Sequence, residues 1–251
     1  MLLILASRWD TTAQDIAAAW AERDVRIMTA RDLSHAGWCQ SLGTRDATVR
    51  DATVRDGAVR DDPAVHRGRA VIAGQPIADE EIHGVLTRLP WVTDMELPEV
   101  VAPDRSYIAA EMSAFLLCWL ADLACPVLNK PTPTCLSGPG WRAERWALAA
   151  AATGMTVRAV RRDTRSSEAP VDIAGSTYVT VVGSQVLGEV AADLAHRARH
   201  LAELAGVSLL ALRFSSNERG AEFLGADVFP SLDDEVVRRA VLAHLAAGPG
   251  M

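Results

Sequence analysis

The chain opens with an unbroken apolar run, Leu2–Ala6, and Val25–Thr29 reads as a second strand within thirty residues. A strand without polar alternation is one covered on both faces. Between the two runs, Asp10 or Thr11 is placed to cap a helix predicted over Thr12 to Arg23. Strand, helix and strand at this spacing make a βαβ unit, whose crossover fixes parallel pairing. The fold must therefore begin as α/β, with helices on both sides of a parallel sheet.

The pattern continues. Arg69–Ala73 and Ile82–Arg88 read as further strands, separated by a turn-prone stretch from Gly74 to Asp79. After a break at Pro98 to Pro103, Asp104 starts the longest predicted helix, Arg105 to Leu123. Its apolar residues Ile108, Met112, Phe115, Leu116, Trp119, Leu120 and Leu123 recur at spacings of three and four, so core packing is expected for Phe115 and Trp119. Glu111 is expected to be exposed. Pro126–Asn129 reads as a short strand, Pro131 to Gly140 as a loop, and Trp141 to Thr153 as a helix stopped by Gly154. A strand at Thr156–Arg161 precedes a polar stretch. Thr177–Val182 and Gln185–Leu187 flank Gly183-Ser184, which suits a type II′ hairpin. A helix over Ala191–Ala205 closed by Gly206, strands Val207–Phe214 and Glu222–Gly225, and a last helix opened by Ser231 and Asp234 complete the chain.

Residues 45–61 break this order. They read RDATV, RDATV, RDGAV, RD, a five-residue tandem repeat. Five is neither the helical nor the strand period, so the repeat defines no buried face. It is expected to be a solvated loop or hairpin, with a β-arm touching a second subunit or a ligand as the alternative.

Composition narrows the function. A net charge of −7 and a pI near 5.4 argue against nucleic acid, which demands a basic face. Cys39, Cys118, Cys125 and Cys135 show no metal-binding spacing; Cys118 and Cys125 stand in apolar surroundings and read as buried free thiols. His196 and His200 are one helical turn apart, but Arg197 and Arg199 intervene and no acidic partner is apparent, so an exposed basic helix is the simpler reading. Leu2–Ala6 is too short and lacks the basic flank of a secretory signal, and no apolar run reaches the roughly 18 residues of a membrane span. A cytoplasmic protein is expected, with no membrane association.

Lys130 is the single lysine of the chain, within CPVLNKPTPTCLSGPGW at Cys125 to Trp141. Upstream stand Asp104-Arg105-Ser106-Tyr107, Glu111, Phe115 and Trp119-Leu120. In order and spacing, residues 82 to 141 resemble the junction between the first domain and the ligase proper of RimK-type ATP-grasp enzymes. The resemblance implies a pre-ATP-grasp-like α/β domain over 1–125 and a truncated ATP-grasp-like α+β domain over 126–251.

The family's catalytic features are not found at the matching positions. ATP-grasp enzymes hold the nucleotide phosphates with two lysines and a glycine-rich loop; here Thr156 leads to Thr177 without a lysine. Arg158, Arg161 and Arg162 are the nearby cations, and an exposed arginine is more often simply solvated. The family also places an acid on a strand like Leu209–Phe214 and a Glu-x-Asn on the next, as Mg²⁺ needs hard oxygen ligands. Here Arg213 stands near the expected acid; if Leu224-Gly225-Ala226 replaces Glu-x-Asn no metal ligand survives, and Glu222 or Asp227 could take its place only through a register shift that puts the side chain on the wrong face or off the strand end. The expectation is no catalytic residue, no metal and no cofactor.

The chain is also similar to truncated ATP-grasp peptide-binding proteins of ribosomal-peptide pathways such as crocagin biosynthesis. That resemblance implies a homodimeric accessory protein that holds a precursor peptide for modifying enzymes. Arg105, Tyr107, Asn129, Lys130, Trp141 and Arg142 are the candidate walls of the peptide site: the cations to pair with carboxylates, Trp141 to offer a flat apolar contact. Partial burial in the core is the alternative for Trp141 and Tyr107. Two other functions stay open: an active ATP-dependent carboxylate–amine ligase with an unusual nucleotide site, and a structural scaffold without a ligand.

Overall fold

The computed structural model describes residues 1–40, 68–158 and 175–247. The repeat at 45–61, with Arg161 and Arg162, lies outside the described residues. The chain begins with β1 (Leu2–Leu5), α1 (Thr11–Ala19) and β2 (Val25–Met28), the expected βαβ unit. Asp10, not Thr11, caps α1, its carboxylate accepting from the Ala13 N–H at 3.1 Å. β3 (Arg69–Ile72) and β4 (Gln75–Ala78) then lead to β5 (Gly84–Thr87), α2 (Arg105–Asp122) and β6 (Val127–Leu128).

Strands β2, β1, β5 and β6, in that order, form a fully parallel sheet. Leu3, Leu5, Val85 and Val127 meet Leu116, Trp119 and Leu120 of α2 on one face. Leu2, Ile4, Leu86 and Leu128 meet Ile16 of α1 on the other. Each such side chain contributes about 1.5–3 kcal/mol by leaving water, which is why β1 carries no polar residue. Trp119 is buried as expected, and its indole N–H donates to Asp79 Oδ1 at 3.1 Å. Phe115 is only partly buried, edge-on to Trp38.

The stretch after Ile72 differs from its reading as a turn. Ala73 and Gly74 both take positive φ, the requirement of a two-residue type I′ turn, and Gln75–Ala78 returns as β4. This ribbon forms a sheet of its own, with Ala70 and Ile72 packed into the same core as Leu3 and Leu5. Pro76, which has no N–H to donate, suits β4 to an edge.

The rest of the chain supplies α3 (Ala143–Ala152), β7 (Thr156–Val157), β8 (Thr177–Val182), β9 (Gln185–Leu187), α4 (Ala192–Ala205), β10 (Leu209–Phe214), β11 (Glu222–Asp227) and α5 (Glu235–Ala246). Its strands form a second sheet in the order β7-β11-β10-β8-β9, antiparallel except for β7 against β11. Gly206 ends α4 in the left-handed region at φ 67°. The last helix starts later than its sequence signal. Asp234 is the N-cap, accepting from Val236 N–H at 2.7 Å, while Ser231 donates to Asp233. α5 joins the two sheets: Val237, Val241 and Leu245 share one core with Leu2 and Ile4 of β1, Val182 of β8 and Leu209 of β10.

Candidate functional site

Parallel α/β sheets open a crevice at the carboxyl ends of their strands, where successive connections leave in opposite directions. Here that point lies between β1 and β5, since the chain goes from β1 to β2 on one side and reaches β5 on the other. The loop after β1 is tightly held. Ser7 donates to the buried Glu96, and the Arg8 N–H reaches the same carboxylate at 3.4 Å. Asp10, besides capping α1, pairs with Arg88 at the end of β5, 2.7 Å away and with both side chains largely buried. These contacts leave Arg8 and Trp9 outward, Trp9 64% exposed and the Arg8 guanidinium 5.1 Å from its ring.

At the end of β6 the chain crosses to the second sheet. Asn129 is only 1% exposed. Its Oδ1 accepts from Leu209 N–H at 2.8 Å and Ser208 N–H at 3.1 Å, and its Nδ2 donates to Leu209 O at 2.8 Å. Thr87 of β5 donates to the Leu128 carbonyl at 2.8 Å, tying the other side of the link. Close packing fills the space, since a Cβ on Gly138 would stand 3.2 Å from the Asn129 Cβ. The Pro-rich loop then folds back on the β5 exit: Ser137 donates to Leu89 O at 3.0 Å and Leu136 N–H to Pro90 O at 2.7 Å. Between this loop and α2 runs a groove of about 390 Å³, lined by Trp91, Ala110, Ala114, Leu117, Pro133 and Leu136 among others.

The six residues singled out from the sequence separate into two groups. Lys130 and Arg142 are exposed, as is Tyr107 at 69%. Trp141 is half-buried, its ring 4.7 Å from that of Trp146 and 4.9 Å from the Arg145 guanidinium. Arg105 and Asn129 are otherwise engaged. Arg105 donates to Val100 O at 2.8 Å and Pro98 O at 3.1 Å, which fixes the turn into α2. Asn129 cannot present its amide to a ligand, because backbone groups of the second sheet already occupy both ends. Sequence reasoning did not find Arg8, Trp9 or Trp91.

The cysteines are quiet. Burial pushes the Cys125 thiol up to about 11 and raises that of Cys135 too. Cys118 is half-buried, not buried, and lies 3.1 Å from the Gln40 amide nitrogen. His196 and His200 are both exposed on α4.

The second sheet covers one face with α3 and α4, through Trp146, Ala150, Leu194 and Leu201. The opposite face is more open. Partners across an antiparallel pair share a face. Tyr178 opposes Arg213, Thr180 opposes Ala211, and β11 sets Gly225 against Arg213 and Asp227 against Ala211. Arg158, beyond β7, forms an ion pair with Glu222 at 2.7 Å.

No protein-family model and no curated protein sequence matches the chain. Solved structures do. The macrocyclase MdnC from Microcystis aeruginosa MRC, bound with precursor peptide MdnA, aligns with a TM-score of 0.62 at 11% identity, covering 97% of this chain and 98% of that one. The ATP-grasp ligase PsnB complexed with minimal precursor aligns at 0.59 and 11% identity, over 97% and 98% of the two chains. A RiPP-associated ATP-grasp ligase from Chryseobacterium gregarium, in complex with ADP and a leader and core peptide, aligns at 0.57 and 11% identity, over 97% and 96%. The fold is ATP-grasp-like.

An ATP-grasp fold implies ATP and Mg²⁺ on the open face of the second sheet, and the described residues do not fit them. The sequence resemblance expects an acidic ligand near Arg213, which is a cation, and Gly225 opposite it offers no oxygen from a side chain. Asp227 is at the far end of β11, two residues along the strand. Among the described residues no three His, Cys, Asp or Glu side chains gather as a metal site. Arg158 has an acidic partner in Glu222 and is no free phosphate ligand. Among the described residues no helix is long and apolar enough to cross a membrane.

Proposed function

We propose that this ATP-grasp-like protein binds a ribosomally made precursor peptide without catalysing a reaction, and holds it for the modifying enzymes of the same pathway. The observation that carries the reading is Arg213 facing Gly225. A guanidinium at that position repels Mg²⁺ and the glycine opposite offers it no ligand, which favours holding a peptide over activating a nucleotide. Three solved structures of like fold contain precursor peptides of their own, which supports a peptide as the ligand here. Lys130 and Arg142 offer cations on the loop that joins the two sheets, and Tyr107 and Trp141 offer aromatic surface.

The working form is a homodimer in the cytoplasm. Exposed Leu148 on α3 and Leu204 on α4 provide apolar surface for self-association, and light scattering reads the mass directly.

Calorimetric titration tests the function. The purified protein is titrated with Mg-ATP and, separately, with the peptide encoded nearest its gene, taken as the candidate precursor. The expected result is heat from the peptide and none from Mg-ATP. Binding of Mg-ATP, or ATP consumption in the presence of the peptide, overturns the reading in favour of an active ligase.

A further inference from the structure

The ends of the four parallel strands share a pattern. After β2 comes Thr29-Ala30-Arg31-Asp32, after β1 Ser7-Arg8-Trp9-Asp10, after β5 Arg88-Leu89-Pro90-Trp91, and after β6 Asn129-Lys130. The acids in these turns are directed inward. Asp32 is buried and accepts from Thr29 N–H at 2.9 Å; Asp10 is taken by Ala13 N–H and Arg88. Glu96, the nearest further carboxylate, is buried under Ser7 and Arg8. The exposed charges that remain within these turns are Arg31, Arg8 and Lys130; further along the loop after β5, Asp94 is exposed and accepts from the Ser106 hydroxyl at 2.7 Å. On a protein whose net charge is −7, the outermost charges of this edge are mostly basic.

Strand ends in a sheet are about 4.8 Å apart, so the turns after β1 and β6 are roughly 10 Å from each other. Two exposed indoles lie in the same turns: Trp9 beside Arg8, and Trp91, 53% exposed, three residues after Arg88. Trp91 also lines the groove between α2 and the Pro-rich loop, where Ala110 and Ala114 keep the helix surface low and Leu117 and Leu136 make it apolar. A basic edge thus leads into an apolar groove. The turn geometry is set in advance by the Asp10–Arg88 pair and the Glu96 contacts, so little ordering is needed on binding.

We infer that the carboxyl-terminal edge of the parallel sheet, with Arg8 and Lys130 at its rim and the Trp91 groove beside it, binds an acidic peptide segment. Its carboxylates pair with the two cations while a neighbouring apolar side chain occupies the groove. The inference rests on the peptide-binding reading and names the peptide's chemistry and where it lies. Charge complementarity selects an acidic segment over a basic one, and the groove selects against a purely polar one.

Fluorescence anisotropy with labelled synthetic peptides tests the assignment. One peptide alternates Glu and Leu, a second replaces each Glu by Gln, and a third replaces each Leu by Ser. The expected order places the Glu–Leu peptide first, with binding that weakens as salt rises. The Arg8→Glu/Lys130→Glu double variant, both positions being exposed, is expected to bind it at least about tenfold more weakly. Trp91→Ala is expected to weaken the Glu–Leu and Gln–Leu peptides by similar factors. Equal binding of the Glu and Gln peptides, no binding of the Glu–Leu peptide, or no effect of the double variant overturns the inference. The precursor peptide, run in parallel on wild type and double variant, separates the two readings. Precursor binding that survives the double substitution sinks this site alone, whereas a wild-type protein that does not bind its precursor sinks the proposed function with it.

Discussion

The two sheets of this protein are built on opposite rules. The parallel sheet is apolar on both faces and closed by helices on both, so its chemistry is confined to the loops at its strand ends. The second sheet is covered by α3 and α4 on one side and displays Tyr178, Arg213 and Asp227 on the other. In one, function must sit at an edge; in the other, part of a face is open, since α5 covers its Val182–Leu209 end. The difference shows how an ATP-grasp-like scaffold tolerates change. The face that would hold a metal can exchange an acid for Arg213 without touching the core beneath it, because β10 alternates Leu210, Leu212 and Phe214 inward with Ala211 and Arg213 outward.

The sharpest way to break the comparison is to damage each core separately. Trp119→Ala under the parallel sheet and Phe214→Ala under the second should each cost about 3–5 kcal/mol in chemical denaturation, because both rings are fully buried. Since α5 and Leu209 share a core with β1, both variants should still unfold in one transition. Two separated transitions would mean that the sheets are independent units. Next in size is Asn129→Ala. It leaves two backbone N–H groups and one carbonyl of the second sheet without their partner, at a cost of roughly 2–4 kcal/mol by the same measurement.

Arg88→Met tests the edge of the parallel sheet. It leaves a largely buried Asp10 without its ion pair, and a loss of about 1–3 kcal/mol is expected, with weaker peptide binding as the Arg8–Trp9 turn loosens. At the thiols the expected outcome is selective chemistry. Near pH 8, an alkylating reagent should label the half-buried Cys39 and Cys118 before Cys125, whose pKa of about 11 keeps it protonated; peptide mapping by mass spectrometry reads the order.

The smallest effect concerns pH. Burial lowers the pKa of His244 on α5 below the ordinary 6.5, beside a turn so close that a Cβ on Gly183 would stand 2.7 Å from its Nδ1. The folded imidazole therefore binds a proton less readily than the unfolded one. Its neutral form adds no penalty above about pH 6.5, and stability falls as pH drops from there toward the folded value. Thermal denaturation of His244→Leu should show a flatter dependence between about pH 6.5 and 5 than wild type.

Much of the frame was legible in advance. The apolar runs of β1 and β5, the α2 stripe, Gly154, Gly183 and Gly206 announce their elements through local periodicity and local φ. Gln75–Ala78 was not legible as a strand, because proline and short polar residues read as a turn until a second strand is present to pair with. The site was legible only in part. Lys130, Arg142 and Tyr107 are exposed, but Asn129 and Arg105 are consumed by backbone partners up to 80 residues apart in sequence. Arg8 and Trp9 carried one weak signal, their place between the first strand and the first helix cap.

The sequence alone determined that this chain would start as a covered parallel sheet and that it would be acidic overall. Those facts depend on residue identity and short-range order. Only the tertiary structure decided that Asn129 joins the two sheets, and that the acids after β1 and β2 point inward while Arg8, Arg31 and Lys130 remain outside. Both depend on hydrogen-bond partners and burial supplied by distant segments, which no local pattern encodes.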